Sequence, residues 1–117
     1  MAPTVPRGWR IFFWLAAAFN FLIGIGSFLE AAWGSDQSIG AVLIIGFGMI
    51  YALVARDPVR FGPTLIAGLF GKGMVVAMLG PTHWFGGGDP ALGAIVAGDL
   101  LFAIGFAIFL LQRRSHG

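Results

Sequence analysis

The sequence predicts an all-α membrane protein, an up-down-up-down bundle of four transmembrane helices with both termini in the cytoplasm. Composition gives the first argument: 58% of the 117 residues are hydrophobic and only 10% are charged, too few to cover a soluble domain. The arginines give the second. They fall in alternate connections between four long apolar runs, and cytoplasmic loops retain positive charge.

The six arginines come in three pairs along the chain. They precede the first apolar run, separate the second from the third, and follow the fourth: Arg7, Arg10, Arg56, Arg60, Arg113 and Arg114. The connections around residues 34–36 and 82–84 contain no Lys or Arg. No basic cluster lies on a polar segment that could fold alone, so we interpret the arginines as topology signals and lipid-headgroup contacts, not as a nucleic-acid surface.

The four helices are predicted at about residues 9–32, 39–55, 61–79 and 91–111, in one integral membrane domain of residues 1–117. The first run is longer than the core of a signal peptide, so we expect it to be a retained helix. The second should end at Arg56-Asp57-Pro58, where a proline follows paired charges.

The second half of the chain carries its own boundary signals. The third helix is expected to close at Gly80-Pro81, before a glycine-rich outer loop. Asp89 followed by Pro90 predicts the start of the fourth helix, with Asp89 as the N-cap. Small residues should line the packing faces of two helices: Ala16, Asn20 and Gly24 on the first, Ala94 and Gly98 on the fourth.

Lys72 and Asp99 are charged residues within the third and fourth predicted helices. Lys72 lies about ten residues into its helix, roughly 15 Å deep and near the bilayer midplane. An unpaired ammonium is costly at that depth. Both residues are similarly distant from the connection between their helices, so an antiparallel pair brings them to one height and predicts an ion pair.

The role of this pair has two interpretations. It can fix the register of two helices while contributing little net stability. It can also act as a proton or ion relay, or as a clamp for a polar ligand, since intramembrane charges often mark functional sites.

Three further polar residues are candidates for supporting roles. Asn20 lies near the midplane in the first helix, where interhelical hydrogen bonding is expected and the Lys72–Asp99 pair is an obvious partner. Tyr51, one turn inside the cytoplasmic end of the second helix, is expected to anchor at the interface. Glu30 is expected to be a solvated acid at the outer end of the first helix, or to face an outward vestibule with Asp36 and His83.

The residue content argues against several functions. The chain has no cysteine, and its two histidines, His83 and His116, lie outside the predicted spans, which disfavours thiol chemistry and an intrinsic haem. We find no metal constellation and no nucleophile–base arrangement, and Gly86-Gly87-Gly88 lacks the strand and lysine of a phosphate loop. We therefore expect no cofactor and no metal, and favour a non-enzymatic protein.

Three segments resemble the DoxX-like assemblage of short bacterial four-helix membrane proteins. They are Tyr51–Pro58, the third helix with Gly68, Gly71 and Lys72, and the fourth helix with residues 98–103. The resemblance spans nearly the whole chain, and it implies the architecture and a polar centre formed by Lys72, Asp99 and Asn20. The assemblage is related in architecture to the vitamin K epoxide reductase type of bundle. The cysteines of that reductase branch are missing here, so its activity is not expected.

The favoured hypothesis is an accessory or scaffolding subunit of a larger membrane complex in the bacterial inner membrane. Besides the lipid bilayer, its expected partner is another membrane protein or a second copy of the chain, and no nucleic acid. The alternative is a small-solute or proton-coupled transporter or binder that uses Asn20, Lys72 and Asp99, either as a single chain or as a homodimer. An enzyme acting on a lipid-soluble substrate such as a quinone is a third, weaker hypothesis.

Overall fold

Helices form the framework of the computed structural model, which describes residues 5–116 and the side chains of residues 5–113. Four of them are long and apolar enough to cross a membrane: Arg7–Glu30, Asp36–Arg56, Pro58–Phe85 and Pro90–Arg113. The predicted class, all-α with four membrane-spanning helices, is confirmed. Contacts divide the chain into two units, Met1–Gly62 and Pro63–Gly117, so each is described separately and the single domain stays a prediction.

The first unit is a hairpin of α1 (Arg7–Glu30) and α2 (Asp36–Arg56). Gly34 in the connection has φ +82°, a left-handed conformation that glycine adopts without a steric penalty. Ser35 caps α2, since its side chain accepts the Ser38 backbone N–H at 3.2 Å. These turn and cap residues reverse the chain within five residues, Ala31–Ser35, and make the two helices antiparallel neighbours.

Helix α2 ends at Arg56 as predicted, but a further helical turn follows at once. Asp57 is both the last cap of α2 and the N-cap of the short helix α3 (Pro58–Phe61), and its Oδ1 accepts the Arg60 backbone N–H at 3.2 Å. A 3₁₀ turn, Gly62–Thr64, comes next. We predicted only the end of α2 at this point. The same two residues, Asp57 and Pro58, also start the next helix, with Asp57 as its N-cap and Pro58 at its first position.

Two glycines allow α1 and α2 to approach closely. A Cβ atom added at Gly24 would lie 2.7 Å from Ile45 Cγ1 and 3.1 Å from the Ala41 carbonyl oxygen. One added at Gly48 would lie 3.0 Å from the Phe21 ring. The predicted small-residue face of α1 is confirmed as buried: Ala16, Asn20 and Gly24. Small residues thus set the spacing of this hairpin, as they do in many membrane helix pairs.

The second unit is a hairpin of α4 (Leu65–Phe85) and α5 (Pro90–His116). The predicted N-cap is confirmed, since Asp89 Oδ1 accepts the Ala91 N–H at 2.9 Å and the Asp89 carbonyl accepts the Gly93 N–H at 2.9 Å. Gly87, with φ +77°, follows the last turn of α4, and the Gly88 N–H donates to the Thr82 carbonyl at 3.0 Å.

The predicted end of this helix at Leu79 was wrong, since α4 continues through Pro81 to Phe85. Proline removes one helical N–H, but membrane helices tolerate it where neighbouring groups compensate. Here Trp84 holds the last turn: its ring packs 2.9 Å from the position a Gly80 Cβ would take, and its Nε1–H donates to the Gly93 carbonyl at 2.9 Å. These contacts of Trp84 keep the last turn of α4 helical beyond Pro81.

The packing face of α5 was also predicted wrongly. Ala94 is exposed and Gly98 is half-buried, whereas Gly93 is buried. A Cβ at Gly93 would lie 3.0 Å from the His83 carbonyl oxygen on α4, so this glycine marks the close approach. Adjacent positions on a helix point about 100° apart, so Gly93 and Ala94 face different directions. Both residues are small, and residue type alone does not show which of them packs against α4.

Candidate functional site

Lys72 and Asp99 are joined in the second unit, where the sequence predicts an ion pair. Lys72 Nζ donates to Asp99 Oδ1 at 2.7 Å. The Lys72 side chain is 6% exposed and that of Asp99 is 14% exposed. Each residue lies near the middle of its span, Pro58–Phe85 and Pro90–Arg113. The two opposite charges therefore neutralise each other within one hairpin, at a depth where either alone is costly.

Helical spacing explains how the sequence presents these groups. Leu65, Gly68 and Lys72 are separated by three and four positions, so they lie on one face of α4, and all three are buried. On α5, Asp99 and Phe102 are three positions apart and share a face in the same way. The antiparallel hairpin then brings the two faces together.

An aromatic ring adds a second contact for the ammonium group. Lys72 Nζ lies 5.6 Å from the centroid of the Phe102 ring, which is itself 7% exposed. A cation within about 6 Å of a ring face is attracted by the ring's negative charge density. The site therefore combines a charge-assisted hydrogen bond with a cation–π contact, and both hold the ammonium group in place.

Asn20 belongs to the first unit and has its own partner there. It is 5% exposed, and its Nδ2–H donates to the Ile44 carbonyl at 3.0 Å, which links α1 to α2. This is the interhelical hydrogen bond that the sequence predicts for a midplane asparagine. A contact between Asn20 and the Lys72–Asp99 pair stays a prediction.

Tyr51 differs from its predicted place. Its side chain is 1% exposed, and its ring centroid lies 6.3 Å from that of Phe47, one turn earlier on α2. An anchor at the headgroup layer needs an accessible hydroxyl, so the interfacial interpretation is wrong for this tyrosine. Its position one turn from the helix end suggested the interface, because sequence spacing gives depth but not the direction of the ring.

The charged residues at the helix ends are mostly exposed. Glu30 is the last residue of α1 and Asp36 the first of α2, and both are exposed, as expected for solvated terminal acids. Four arginines of the first unit are exposed: Arg7, Arg10, Arg56 and Arg60. Arg113 is half-buried, and the side chain of Arg114 lies outside the described residues.

His83 has a structural partner in the α4–α5 connection. Its Nδ1 accepts the Asp89 backbone N–H at 3.0 Å, and a Cβ at Gly88 would meet the same atom. This bond and the Trp84–Gly93 bond tie the end of α4 to the start of α5. Neither bond was predicted, although His83 and Trp84, shortly before three glycines, indicate side chains that can close the connection.

A metal site is not formed by the part of the chain that the structure describes, where no group of three or more His, Asp or Glu residues comes together. Comparisons with protein-family models, with curated proteins and with solved structures found no match for this chain. What the fold itself defines is a multi-pass membrane protein with a buried ion pair in its second hairpin.

Proposed function

We propose that this chain is a non-enzymatic accessory or scaffolding subunit of a larger bacterial membrane complex. The Lys72–Asp99 pair is the observation that supports this most directly. A closed pair, with its ammonium also held against Phe102, has its charge already satisfied by the hairpin. Such a pair suits a structural role in fixing the register of two helices, whereas a charge that binds a solute is expected to face an open cavity.

An exposed apolar stripe on α4 supports an assembly role. Ile66, Phe70, Met74 and Met78 follow one another at four-residue spacing and are 64%, 67%, 44% and 63% exposed. In a membrane this face meets lipid chains or another protein, and methionine and phenylalanine suit adaptable contacts between helices. In the proposed complex, this chain would contact its partner through this face of α4.

The location and relationship of the protein are part of the same proposal. We place it in the bacterial inner membrane with both termini in the cytoplasm, because the arginines flank alternate connections. We also propose membership of the DoxX-like assemblage, supported by four spans and by Lys72 and Asp99 at mid-span.

Co-purification tests the accessory role. The protein is isolated from its native membrane in mild detergent, with a photo-crosslinking residue at Phe70 in one variant and at Leu65 in a control variant. Phe70 is 67% exposed and Leu65 is fully buried, so only the first can reach a partner. We expect one larger membrane complex in stoichiometric amount and a crosslink from position 70 alone. Isolation without any partner, and no crosslink, contradicts the proposal.

The alternative is a small-solute or proton-coupled transporter or binder using Asn20, Lys72 and Asp99. The 14% exposure of the Asp99 side chain favours it, since part of this side chain stays accessible. Replacing both charges, Lys72→Met with Asp99→Leu, separates the two functions. A scaffold keeps its complex in the double variant, whereas a binder folds normally but loses stabilisation by its solute.

A further inference from the structure

The contacts between α1 and α2 define the register of the first hairpin. Near the connection, Gln37 Nε2 donates to the Ser27 carbonyl at 3.2 Å. Further along, the Gly24 position lies against Ala41 and Asn20 donates to the Ile44 carbonyl. Each step back along α1 is therefore matched by a similar step forward along α2, as antiparallel helices of equal rise require.

Continuing this register to the other end of the hairpin brings arginines together. Arg10 comes opposite Arg56 at the end of α2, Arg7 starts α1 one turn earlier, and Arg60 follows on α3, four residues after Arg56. All four are exposed, and we call them the arginine end. Like charges at one level repel each other unless an anion lies among them.

Among its described side chains, the hairpin supplies one carboxylate near these four arginines, so this end keeps a net positive charge. The Lys72–Asp99 ion pair lies in the other unit, and none of the four arginines takes part in it. Asp57 is the one acid near this end, and its Oδ1 accepts the Arg60 backbone N–H. The acids Glu30 and Asp36 lie at the opposite end, beside the α1–α2 connection. The hairpin is thus basic at one end and acidic at the other.

Aromatic residues occupy the same end as the arginines. The Trp9 ring stacks against Phe13 at 5.8 Å between centroids and meets the Phe12 ring edge-on at 5.7 Å. Tryptophan is enriched at the level of lipid headgroups, so its place beside Arg7 and Arg10 sets the depth of the arginine end. Guanidinium groups at that depth match phosphate oxygens in bidentate geometry.

We propose that the arginine end is a binding site for the phosphate headgroup of an anionic phospholipid. The charge complementarity is carried by Arg7, Arg10, Arg56 and Arg60, and the apolar spans of α1 and α2 hold this end at the membrane surface, where the lipid's chains lie alongside. The site is independent of the proposed accessory function, since it requires no protein partner.

Thermal unfolding in detergent, with and without added lipid, tests the proposal. Phosphatidylglycerol is expected to raise the melting temperature of the wild-type protein, and phosphatidylcholine to leave it nearly unchanged. The variant Arg10→Gln/Arg56→Gln should bind phosphatidylglycerol at least about tenfold more weakly, because it removes two of the guanidinium groups that attract anionic lipid. Arg10→Lys/Arg56→Lys should retain part of the effect, since the charge remains.

The controls separate this site from other sources of the same response. Glu30→Gln/Asp36→Asn, at the opposite end, should keep the full phosphatidylglycerol effect, and inorganic phosphate at equal concentration should produce none. An equal response to free phosphate would assign the site to soluble anions and overturn the lipid proposal. An equal rise in the wild-type melting temperature with phosphatidylglycerol and with phosphatidylcholine would overturn the proposal as well. This comparison uses the wild type alone and does not depend on the folding of any variant.

Discussion

The buried polar residues Lys72 and Asn20 each have a partner within their own hairpin. Lys72 has Asp99, with Phe102 beside its ammonium, and Asn20 has the Ile44 carbonyl. In the lipid interior no water replaces a missing partner, so each of these contacts ties one helix to its neighbour. The polar residues therefore specify helix pairs, which supports a structural role for them.

The Asn20 hydrogen bond can be tested alone. Asn20→Leu keeps most of the side-chain volume but removes the donor to the Ile44 carbonyl, and should destabilise the protein by about 1 kcal/mol. Unfolding in mixed micelles measures this cost. Ala18→Leu, at an exposed position on the same helix, should cost little. A cost for Asn20→Leu no larger than that of the control would contradict the assigned role.

At the scale of elements, close helix contact depends on particular glycines. Gly24 has Ile45 and the Ala41 carbonyl within 3.1 Å of an added Cβ, whereas Gly26, half a turn away, has nothing within 4 Å. The same helix thus carries one glycine that packing requires and another that it does not. Membrane helices gain much of their stability from such close contact.

These two glycines give a matched pair of substitutions. Gly24→Ala should push α1 from α2 and destabilise the protein by about 1–3 kcal/mol, because backbone atoms of α2 must move. Gly26→Ala should be neutral or slightly stabilising, since alanine favours helix. Both variants are compared by their resistance to unfolding in detergent. Equal effects from the two would show that α1 and α2 do not approach as described.

The end of α4 has its own matched test with tryptophan. Trp84→Phe keeps an aromatic ring but loses the bond from Nε1 to the Gly93 carbonyl, which should cost about 1 kcal/mol. Trp33→Phe, at a side chain that is 90% exposed, should cost less. Hydrogen exchange of the Gly93 region should speed up in the first variant only. Unchanged exchange there would mean that Trp84 does not hold the turn.

Periodicity and charge predicted the four spans, the Asp89 cap and the buried face of α1, because these depend on local chemistry. The end of α4 was missed because Trp84 reaches a residue nine positions away, which overrides the local signal at Pro81. Tyr51 and Ala94 were misplaced for a related reason: sequence gives depth along a helix, but neighbouring helices decide which face is covered. The pairing of Lys72 with Asp99 was predictable, since few other charges lie at mid-span.

At the scale of the whole molecule, the central question is the direction in which the chain crosses the membrane. The arginine pairs predict that residues near 59 and 112 face the cytoplasm and that the connections near 32 and 85 face outward. The chain contains no cysteine, so a single introduced thiol reports one position without interference. The orientation can therefore be mapped one site at a time.

We expect Ala32→Cys and Phe85→Cys to react with an impermeant thiol reagent on intact cells. Val59→Cys and Gln112→Cys should react only after the membrane is opened. All four positions are exposed in the structure, so differences in labelling report the side of the membrane and not burial. Labelling of position 59 or 112 from outside would contradict the proposed orientation and place the arginine end on the outer surface.

A double-mutant cycle on Lys72 and Asp99 shows whether the buried ion pair is structural. Lys72→Met and Asp99→Leu alone should each destabilise the protein by about 3 kcal/mol or more, since each leaves a buried charge without its partner. The double variant should return to within about 1 kcal/mol of the wild type and keep its membrane complex. Additive losses would contradict a structural pair, and a stable double variant that has lost a solute response would assign the pair to ligand binding.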